Sequence, residues 1–500
     1  MMISLDEFLA ISRTYNVVPL VKRILADMHT PVSAYLAMKE GRECSFLLES
    51  AETNETFGRY SFLGVDPVLL ILVREESIEI IKGTTRVEKK QPLLDELADQ
   101  CAAFRQYPIP GGIGFSGGFL GYLGYGCVRQ FETVTLKQKV HRSEPDAMIG
   151  LFESVIQFNH RENIIQIVQN VIIDPEQPLD RQYEIGRQKL ETIALRLLNS
   201  AIAINNFYSP AAVPKYLVEK AMYCQSVDAA KRYIKEGDIF QVVLSRKIEL
   251  PYSGDPFPVY RALRVINPSP YLFYLDFGEV KLIGSSPEVL VRVHEKTIEL
   301  FPIAGTRRRG KTEEEDRLIE EHLLNDEKEL AEHHMLIDLG RNDVGRVSEL
   351  GSVHVPVNKR IERYSHVMHI VSEVQGTLQS GHTSLDVLRA CFPAGTVTGA
   401  PKIRAIEIID ELESSPRGLY AGSVGYIGFN GDLDMCITIR TIIASREKLS
   451  IQAGAGIVAD SFPENEYRET EAKAQALLDA IALASRKFEF ITPLEKERGA

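Results

Sequence analysis

Residues 423–445 read SVGYIGFNGDLDMCITIRTIIAS, and this stretch decides the fold class. Asn430 and Gly431 stand between two runs rich in apolar and β-branched residues, which is the strongest short-range signal for a β-hairpin. A hairpin joins antiparallel neighbours, whereas a Rossmann fold requires parallel strands connected through helices. The stretch therefore predicts an antiparallel sheet.

The rest of the chain mixes further short strand-like runs with a few long helical segments. Helix-period patterns cover about 180–198, 218–235 and 313–339, and Gly340 is a plausible stop for the third. Ser461–Glu464 reads as a capping box, with proline in the first turn of a last helix. Strands in runs and hairpins with long helices between them indicate an α+β fold with largely antiparallel sheets.

Length and composition set broad limits on the protein. Five hundred residues exceed one ordinary hydrophobic core and suggest two large lobes. NSAIAINNFYSPAAVP reads as a linker, which gives an N-terminal lobe at 1–200, a linker at 201–215 and a second lobe at 216–490. The net charge of −12 argues against a nucleic-acid partner, which would require a basic face.

The sequence also bears on compartment. No apolar run approaches the length of a membrane span, and Asp6 and Glu7 stand where a signal peptide needs an apolar core. We therefore expect a cytoplasmic protein with no membrane partner. Its six scattered cysteines lack CxxC spacing and are expected to be reduced core residues.

Two pairs of glutamates stand out as candidate metal ligands. Glu329 and Glu332 lie in DEKELAEHH, and Glu466 and Glu469 lie in FPENEYRETEAKA. The i, i+3 spacing places each pair on one face of a predicted helix, where like charges repel. A shared Mg²⁺ ion would relieve that repulsion, because Mg²⁺ takes oxygen ligands from one or two carboxylates and an anionic substrate. The alternative is that both pairs lie on solvated acidic helix faces. For either pair taken alone, that alternative is the better interpretation.

Two glycine-containing segments could bind an anion. In PAGTVTGAPKIR, residues 395–399 lead into a helix near Pro401, whose free N–H groups favour negative charge. In QAGAGIV, Gly454 and Gly456 leave one side of a strand open, so main-chain N–H groups could reach a carboxylate. A tight loop with an ordinary N-cap explains the first segment equally well, and a β-bulge explains the second.

Arg440 and His369 are further candidates. In CITIR, strand alternation places Cys436, Thr438 and Arg440 on one face, and an arginine there suits two-point binding of a carboxylate. An exposed arginine is the commoner outcome. His369, in RYSHVMHIV, is a possible proton donor, although a histidine in such a run is more often a core residue.

Seven segments, taken together, resemble the chorismate-utilising enzymes. In chain order they are GSSPE, PIAGTRRRG, DEKELAEHHMLIDLGRND, RYSHVMHIVSEVQG, PAGTVTGAPK, GDLDMCITIRT and QAGAGIVADSFPENEYRET. The resemblance covers about 216–485 and is weaker in the first lobe. It implies a layered α/β sandwich with helices outside, a Mg²⁺ cofactor, and the substrate chorismate, a dianionic cyclohexadiene with an enolpyruvyl side chain.

The resemblance also assigns residues to roles. It implies that Glu332 and Glu469 ligate Mg²⁺ and that Glu329 and Glu466 hold its waters. It implies Glu288, in the Ser-Ser-Pro-Glu turn, as the general acid for hydroxide departure. His369 could assist catalysis, and Thr396 lines the same pocket. The residues implied to contact chorismate are Gln241, Gly305, Thr306, Tyr420, Arg440, Gly454, Ala455, Gly456 and Lys473.

Two positions distinguish between members of this family. Isochorismate and salicylate synthases carry a water-activating lysine where this chain has Gln241. Aminodeoxychorismate synthases usually carry a covalent lysine where this chain has Ala304. Both differences indicate a resemblance to the large subunits of anthranilate synthases, which aminate chorismate with ammonia and eliminate pyruvate. Two alternatives to this function are an aminodeoxychorismate synthase and a non-catalytic sensor that binds tryptophan.

The resemblance further implies that the amination of chorismate is the first committed step of tryptophan biosynthesis and that tryptophan inhibits the enzyme by feedback. The implied inhibitor site joins FLLES to NPSPYLF, although NPSPY alone reads as a simple proline turn. Its residues are Leu48, Glu49, Ser50, Asn267, Pro270, Tyr271, Leu272 and Phe273. The chain has no Gly-x-Cys-x-Gly glutaminase motif, so ammonia from glutamine is expected to come from a separate glutamine amidotransferase subunit.

Overall fold

The structure is a computed structural model. It describes residues 2–488 apart from 51–58, 76, 110–113, 135, 137–143, 200–204, 211–213 and 364–366. Parts of the predicted linker and the last two residues of the predicted second lobe therefore lie outside the described residues.

The described strands are numbered in chain order. Strands β1 to β13 are Val17–Leu25, Cys44–Glu49, Tyr60–Val65, Leu69–Arg74, Ser77–Lys82, Thr85–Lys89, Gly118–Leu123, Ala147–Phe152, Ser154–Asn159, Ile164–Ile172, Phe207–Tyr208, Lys215–Tyr216 and Gln241–Pro251. Strands β14 to β26 are Ser253–Gly254, Tyr271–Phe277, Val280–Ser286, Val289–His294, Thr297–Leu300, Ile303–Arg308, His354–Arg363, Val367–Thr377, Gly399–Ala400, Ser423–Gly428, Leu433–Ile437, Thr441–Ser445 and Lys448–Ile457.

Helices are numbered in the same way. Helices α1 to α12 are Leu5–Ile11, Pro31–Lys39, Leu93–Ala102, Val128–Phe131, Leu179–Asn199, Lys220–Glu236, Phe257–Ile266, Glu313–Leu324, Glu327–Gly345, Ser384–Cys391, Lys402–Leu412 and Pro463–Ser485. No described helix combines the length and the apolar character that crossing a membrane requires.

The strands form two large sheets. The first has the order β1-β10-β9-β3-β2-β15-β16-β25-β26-β13-β12, and β22 also pairs with β13. The second has the order β19-β21-β18-β17-β24-β23-β7-β8-β4-β5-β6, and β20 also pairs with β21. Neighbouring strands run antiparallel throughout both sheets as far as they are described. The predicted hairpin around Asn430 is β23 and β24, with Ile427 opposite Leu433.

The two sheets stack face to face with helices on both outer sides. Side chains such as Phe46 of β2 and Tyr122 of β7 pack in the core between the sheets. Helices α2, α5, α7 and α12 cover the first sheet through a second core. Helices α3, α9 and α10 cover the second sheet through a third core. The predicted fold class, a layered α/β sandwich of largely antiparallel sheets with helices outside, is confirmed.

Both sheets contain strands from both halves of the chain. In the first sheet, β2 pairs with β15, so that Phe273 lies opposite Leu48. In the second sheet, β7 pairs with β23, so that Tyr122 lies opposite Val424. The two predicted lobes are thus joined through continuous sheets, and their boundaries stay a prediction.

Two helix predictions are wrong. The single helix predicted over 313–339 is two helices, because the Asp326 side chain accepts from the N–H groups of Lys328 and Glu329 and caps a new helix. Gly340 does not stop this second helix, which continues to Gly345. Gly340 is buried there, with Pro302 and Val374 nearby, and this packing outweighs the cost of about 1 kcal/mol for glycine in a helix.

Two predictions in the C-terminal part of the chain are also wrong: the capping box at Ser461 and the strand through CITIR. Ser461 forms no capping box, because its hydroxyl instead accepts from the Val458 N–H, and Phe462 occupies the N-cap of α12 without a side-chain bond. CITIR is not one strand: β24 ends at Ile437, and Arg440 has a left-handed φ of 49° before β25. The chain leaves the second sheet and enters the first between these strands, which ends the predicted alternation.

Candidate active site

Two crossings between the sheets place Glu288 and Arg440 on adjacent segments. The chain passes from β16 in the first sheet to β17 in the second through Glu288, and returns from β24 to β25 through Arg440. The crossings are bonded together, since the Ile437 N–H donates to the Glu288 carbonyl at 3.0 Å and the Ser285 N–H donates to the Arg440 carbonyl at 3.1 Å. An acid and a cation are therefore held together at the junction of the two sheets.

Glu288 lies at the wall of a partly open cavity that is lined mainly by apolar side chains and also reaches Thr396. Burial raises the pKa of Glu288 to about 7, while the nearby Thr396 hydroxyl and Lys473 ammonium act in the opposite direction. The Thr396 hydroxyl is itself buried and lies within hydrogen-bonding reach of the Glu288 carboxyl. Glu288 can therefore hold or release a proton near neutral pH.

Strand β26 supplies a glycine-lined wall. A Cβ atom on Gly456 would lie 2.7 Å from the Gln241 amide nitrogen, and one on Gly454 would lie 2.6 Å from the Tyr420 hydroxyl. Ala455, between them, is fully buried. The two glycines thus make room for Gln241 and Tyr420 to approach the backbone of this strand.

The two glutamate pairs converge from helices that are distant in sequence. The Gln241 amide donates to Glu332 at 3.2 Å. Burial raises the pKa of Glu332, and the negative charges of Glu329 and Glu469 raise it further. Burial also raises the pKa of Glu466, with Glu469 again contributing. Carboxylates on α9 and α12 therefore lie close enough to repel one another.

Lys473 connects α12 to the glycine strand and to Arg440. Its ammonium donates to the Gly454 carbonyl at 2.9 Å and forms an ion pair with Glu469 at 2.7 Å, one helical turn earlier. Its carbonyl accepts from Arg440 Nη1 at 2.8 Å. Two cations thus stand beside the glycine-containing segment of β26, where an anionic group could bind.

His369 and Gly305 close another side of the site. Nδ1 of His369 donates to the Gly305 carbonyl at 3.1 Å. Burial lowers the pKa of His369, so at neutral pH Nε2 carries a lone pair. A Cβ atom on Gly305 would lie 3.2 Å from Glu329 Oε2. Thr306 pairs with His369 across the sheet, and its side chain lies outside the described part.

The acidic residues fit a Mg²⁺ ion that is completed by substrate and water. Within the part of the chain that is described, no three His, Cys, Asp or Glu side chains already form a ligand cluster. Mg²⁺ is usually held by only one or two carboxylates together with waters and an anionic substrate, so such a cluster is not required. Mutual repulsion around Glu332 and Glu466 is the condition that a divalent cation relieves.

Comparison with known proteins identifies the group to which this arrangement belongs. The sequence pattern of the chorismate binding enzyme family matches residues 43–479. The chain belongs to the chorismate-binding enzymes. Anthranilate synthase component 1 of Acetivibrio thermocellus is 44% identical over 96% of this chain and 98% of its own length. The protein of the same name from Aquifex aeolicus is 44% identical over 97% and 99%. The resemblance stated from the sequence motifs is thereby confirmed.

Solved structures of chorismate-binding enzymes have the same architecture. Anthranilate synthase component I from Streptococcus pneumoniae superposes with a TM-score of 0.72 at 34% identity, over 91% of this chain and 99% of that one. The menaquinone-specific isochorismate synthase from Escherichia coli superposes with a TM-score of 0.69 at 19% identity, over 95% and 98%. The second comparison concerns the fold alone.

A buried ion pair that the sequence did not predict supports this candidate site on the side away from the cavity. Arg417, only 4% exposed, pairs with Glu413 at 2.8 Å. Its guanidinium also donates to the Val397 and Val243 carbonyls, both at 2.6 Å. It therefore ties the loop of Thr396 to strand β13, which begins at Gln241. The Pro-Arg-Gly turn just before Tyr420 was the available signal.

The segments predicted to bind tryptophan meet on neighbouring strands of this chorismate-binding enzyme. Leu48 and Glu49 of β2 lie opposite Phe273 and Leu272 of β15. Ser50 follows β2, and its buried hydroxyl has no partner among the described residues.

Glu49, Tyr271 and Asn267, among these predicted residues, already have polar side-chain partners. Glu49 accepts from the Tyr260 hydroxyl at 2.6 Å and pairs with Arg264 at 3.1 Å. The Tyr271 hydroxyl donates to Asp434 at 2.6 Å. Asn267 ends α7, and Pro270 immediately precedes β15. The structure thus places the predicted residues on and beside two neighbouring strands of the first sheet. The candidate metal ligands lie elsewhere, on helices α9 and α12.

Proposed function

We propose that the chain is the large subunit of an anthranilate synthase. Ammonia adds to ring carbon 2 of chorismate as the hydroxyl on carbon 4 departs, and loss of pyruvate then gives anthranilate. The observation that carries this proposal is the setting of Gln241, whose amide meets Glu332 and the Gly456 backbone. An amide cannot deprotonate water, whereas ammonia attacks without prior loss of a proton. The names of the relatives support the same activity.

Ala304 favours direct attack by ammonia. It is buried in β19, directly before Gly305, and carries only a methyl group. No amine nucleophile is available at this position to form a covalent intermediate. The product is therefore the ortho isomer of aminobenzoate rather than the para isomer.

Glu288 is the proposed general acid. The carbon 4 hydroxyl is a poor leaving group and departs as water once it receives a proton. A carboxyl with a pKa of about 7 retains that proton in a substantial fraction of molecules at neutral pH. His369, held by the Gly305 carbonyl with its lone pair on Nε2, can accept a proton during either step.

Recognition of the dianionic substrate uses cations and backbone. Arg440 and Lys473 lie beside β26, where the absence of side chains at Gly454 and Gly456 lets polar groups approach the main chain closely. A cation and N–H groups together suit a carboxylate. Tyr420 closes this wall through its hydroxyl near Gly454.

Mg²⁺ is the proposed cofactor. Glu332 and Glu469 would hold it, and Glu329 and Glu466 would orient its waters. Bound there, the ion supplies positive charge that anchors and polarises a substrate carboxylate. The protein side chains contribute the placement of that charge between α9 and α12.

We further propose a separate amidotransferase partner, tryptophan feedback and a cytoplasmic location. The name component 1, shared by the relatives, supports the existence of a second component. The buried, unpartnered hydroxyl of Ser50 supports a ligand site between β2 and β15. Without its partner, the chain uses free ammonia.

The decisive experiment is product identification. The purified chain is incubated with chorismate, Mg²⁺ and ammonium, and the products are separated by chromatography. Ortho-aminobenzoate with an equal amount of pyruvate supports the proposal. Para-aminobenzoate would indicate an aminodeoxychorismate synthase instead, and tryptophan binding without any turnover would indicate a sensor.

A further inference from the structure

Ser285 touches both the proposed inhibitor site and the proposed active site. It lies near the end of β16 and is fully buried. Its hydroxyl donates to the Asn267 carbonyl and accepts from the Asn267 amide nitrogen at 3.2 Å. Its backbone N–H donates to the Arg440 carbonyl at 3.1 Å. One small residue thus joins a segment of each site.

Arg440 has a conformation that needs such support. Its φ of 49° is left-handed, which costs a non-glycine residue on the order of 1–3 kcal/mol and persists only where the surroundings fix it. The Ser285 N–H holds its carbonyl, and its own Nη1 is held by the Lys473 carbonyl at 2.8 Å. Left-handed and right-handed backbone conformations are discrete states. Weakening one of these two hydrogen bonds can therefore change which state Arg440 populates.

Asn267 makes hydrogen bonds for which a bound ligand would compete. It ends α7, with its N–H donating to Leu263 at 2.8 Å, and its side chain is committed to Ser285. The unpartnered Ser50 hydroxyl lies on the neighbouring strand segment. An amino-acid head group that binds Asn267 takes the amide away from Ser285.

We propose that Ser285 is a positioning residue that couples tryptophan binding at Asn267 to the conformation of Arg440. This inference rests on the proposed function. Tryptophan favours the state in which Asn267 faces the inhibitor, and chorismate favours the state in which Ser285 secures Arg440. By linkage, each ligand then weakens the other by the same factor.

The chain contains no tryptophan, so the fluorescence of added tryptophan, excited at wavelengths that tyrosine does not absorb, reports its binding. The dissociation constant of tryptophan is measured with Mg²⁺, with and without saturating chorismate, and without ammonium so that no turnover occurs. We expect chorismate to weaken tryptophan binding to the wild type by roughly 5- to 150-fold. In Ser285→Ala we expect a factor below about two, while tryptophan still binds.

Two further variants exclude a general loss of structure. Ser285→Cys keeps the shape of the side chain, with a slightly larger atom, but weakens its hydrogen bonds, and is expected to show an intermediate factor. Ser348→Ala also removes a buried serine hydroxyl, one that donates to Val344 at 2.8 Å, and is expected to keep the wild-type factor. Cooperative thermal unfolding is checked for every variant.

The outcomes separate this inference from the proposed function. A wild-type factor retained in folded Ser285→Ala or Ser285→Cys overturns the coupling role and leaves the anthranilate synthase proposal intact. Failure of tryptophan to bind the wild type removes the proposed feedback and the coupling with it. Loss of the factor in Ser348→Ala as well would show a general structural effect and would also overturn the assignment.

Discussion

Glu288 has a pKa of about 7, so near neutral pH it exists both as a proton donor and as a carboxylate. This value depends on the cavity that it shares with Thr396, since burial penalises the charged form. The proposed chemistry at the scale of one residue therefore depends on how well that cavity excludes water.

Replacing Glu288 with glutamine tests this role. Glu288→Gln is expected to lower kcat by about 10²- to 10⁴-fold, because the departing hydroxyl loses its acid. In the wild type, kcat should fall as pH rises through about 7, where Glu288 gives up its proton, and the variant should lack this descending limb. Glu279→Gln, an exposed glutamate that pairs with Arg74, is the control and should keep the wild-type profile.

The same substitution has a consequence for stability. The pKa of Glu288 in the folded chain is raised above that in the unfolded chain, so its contribution to stability is full at low pH and is lost as pH rises through about 7. Glu288→Gln removes this pH dependence. Its Tm relative to wild type should therefore be higher at pH 8 than at pH 5, as measured by calorimetry. An equal difference at both values would contradict the assigned pKa.

Individual residues were predictable from the sequence to an uneven extent. Spacing alone placed the carboxylates of Glu329 and Glu332 on one helix face, because the period of a helix is fixed. The left-handed backbone of Arg440 was not predictable, since CITIR alternates as a strand should. The break arises only because the chain changes sheets there, which is a long-range effect.

At the scale of elements, helix α9 depends on its cap. Asp326 accepts from the N–H groups of Lys328 and Glu329 and pairs with Arg307 at 2.9 Å. Arg307 in turn pairs with Glu329 at 2.8 Å. The first turn of α9 is therefore bonded to strand β19, and this sets the position of its glutamates.

Loss of the Asp326 cap should change the Mg²⁺ requirement more than loss of the Thr312 cap on the preceding helix. Asp326→Ala is expected to cost about 1 kcal/mol in the free energy of unfolding and to raise the Mg²⁺ concentration needed for half-maximal activity. Thr312→Ala is the matched control, since Thr312 caps the preceding helix through the Glu315 N–H. It should cost a similar free energy without changing the Mg²⁺ requirement. Equal effects on that requirement would contradict a role for the first turn of α9.

The metal proposal belongs to the helix pair α9 and α12. Mg²⁺ should raise the Tm of the wild type, because a ligand that binds only the folded state stabilises it. The double variant Glu332→Gln with Glu469→Gln should lose this increase together with Mg²⁺-dependent activity. Full activity in this variant would overturn the metal assignment.

A matched charge control is available on the same helices. Glu327→Gln with Glu464→Gln removes two exposed acids from the first turns of α9 and α12. It changes the net charge by the same amount and should keep both the Tm increase and the activity. The comparison distinguishes a specific ion site from general screening of negative charge.

Helices were predicted better than their ends. The pattern over 180–198 matched α5 closely, because a long amphipathic stripe is a strong signal. The division between α8 and α9 was missed because both halves carry helix-forming residues and only Asp326 marks the boundary. A cap is a local hydrogen-bond choice that a periodic pattern does not report.

At the scale of the whole molecule, each sheet is completed by strands from both halves of the chain. Separate expression of residues 1–200 and 216–490 should therefore give two fragments that expose the β2, β15, β7 and β23 edges. We expect each fragment alone to lack cooperative thermal unfolding and chorismate turnover. Co-expression that restores both would show that the interface re-forms. A cooperatively folded, active 216–490 fragment would contradict this expectation.

The sequence predicted the class of this fold but not its connections. Hairpin and helix signals are local and gave the antiparallel α+β architecture correctly. The pairing of β7 with β23 joins segments about 300 residues apart, and no local pattern specifies such a partner. The motifs of the family supplied what spacing could not, because they mark residues that are far apart in the sequence and become neighbours only in the folded chain.

Because each sheet contains strands from both halves of the chain, the fold also has a consequence for synthesis on the ribosome. The edge of β7 emerges about 300 residues before β23, which at roughly 5–20 residues per second is a wait of about 15–60 seconds. During that interval the nascent chain presents unpaired strand edges at which neighbouring chains can aggregate. Folding of the first half of the chain should therefore wait for the second half, and its unpaired edges are where a chaperone would bind.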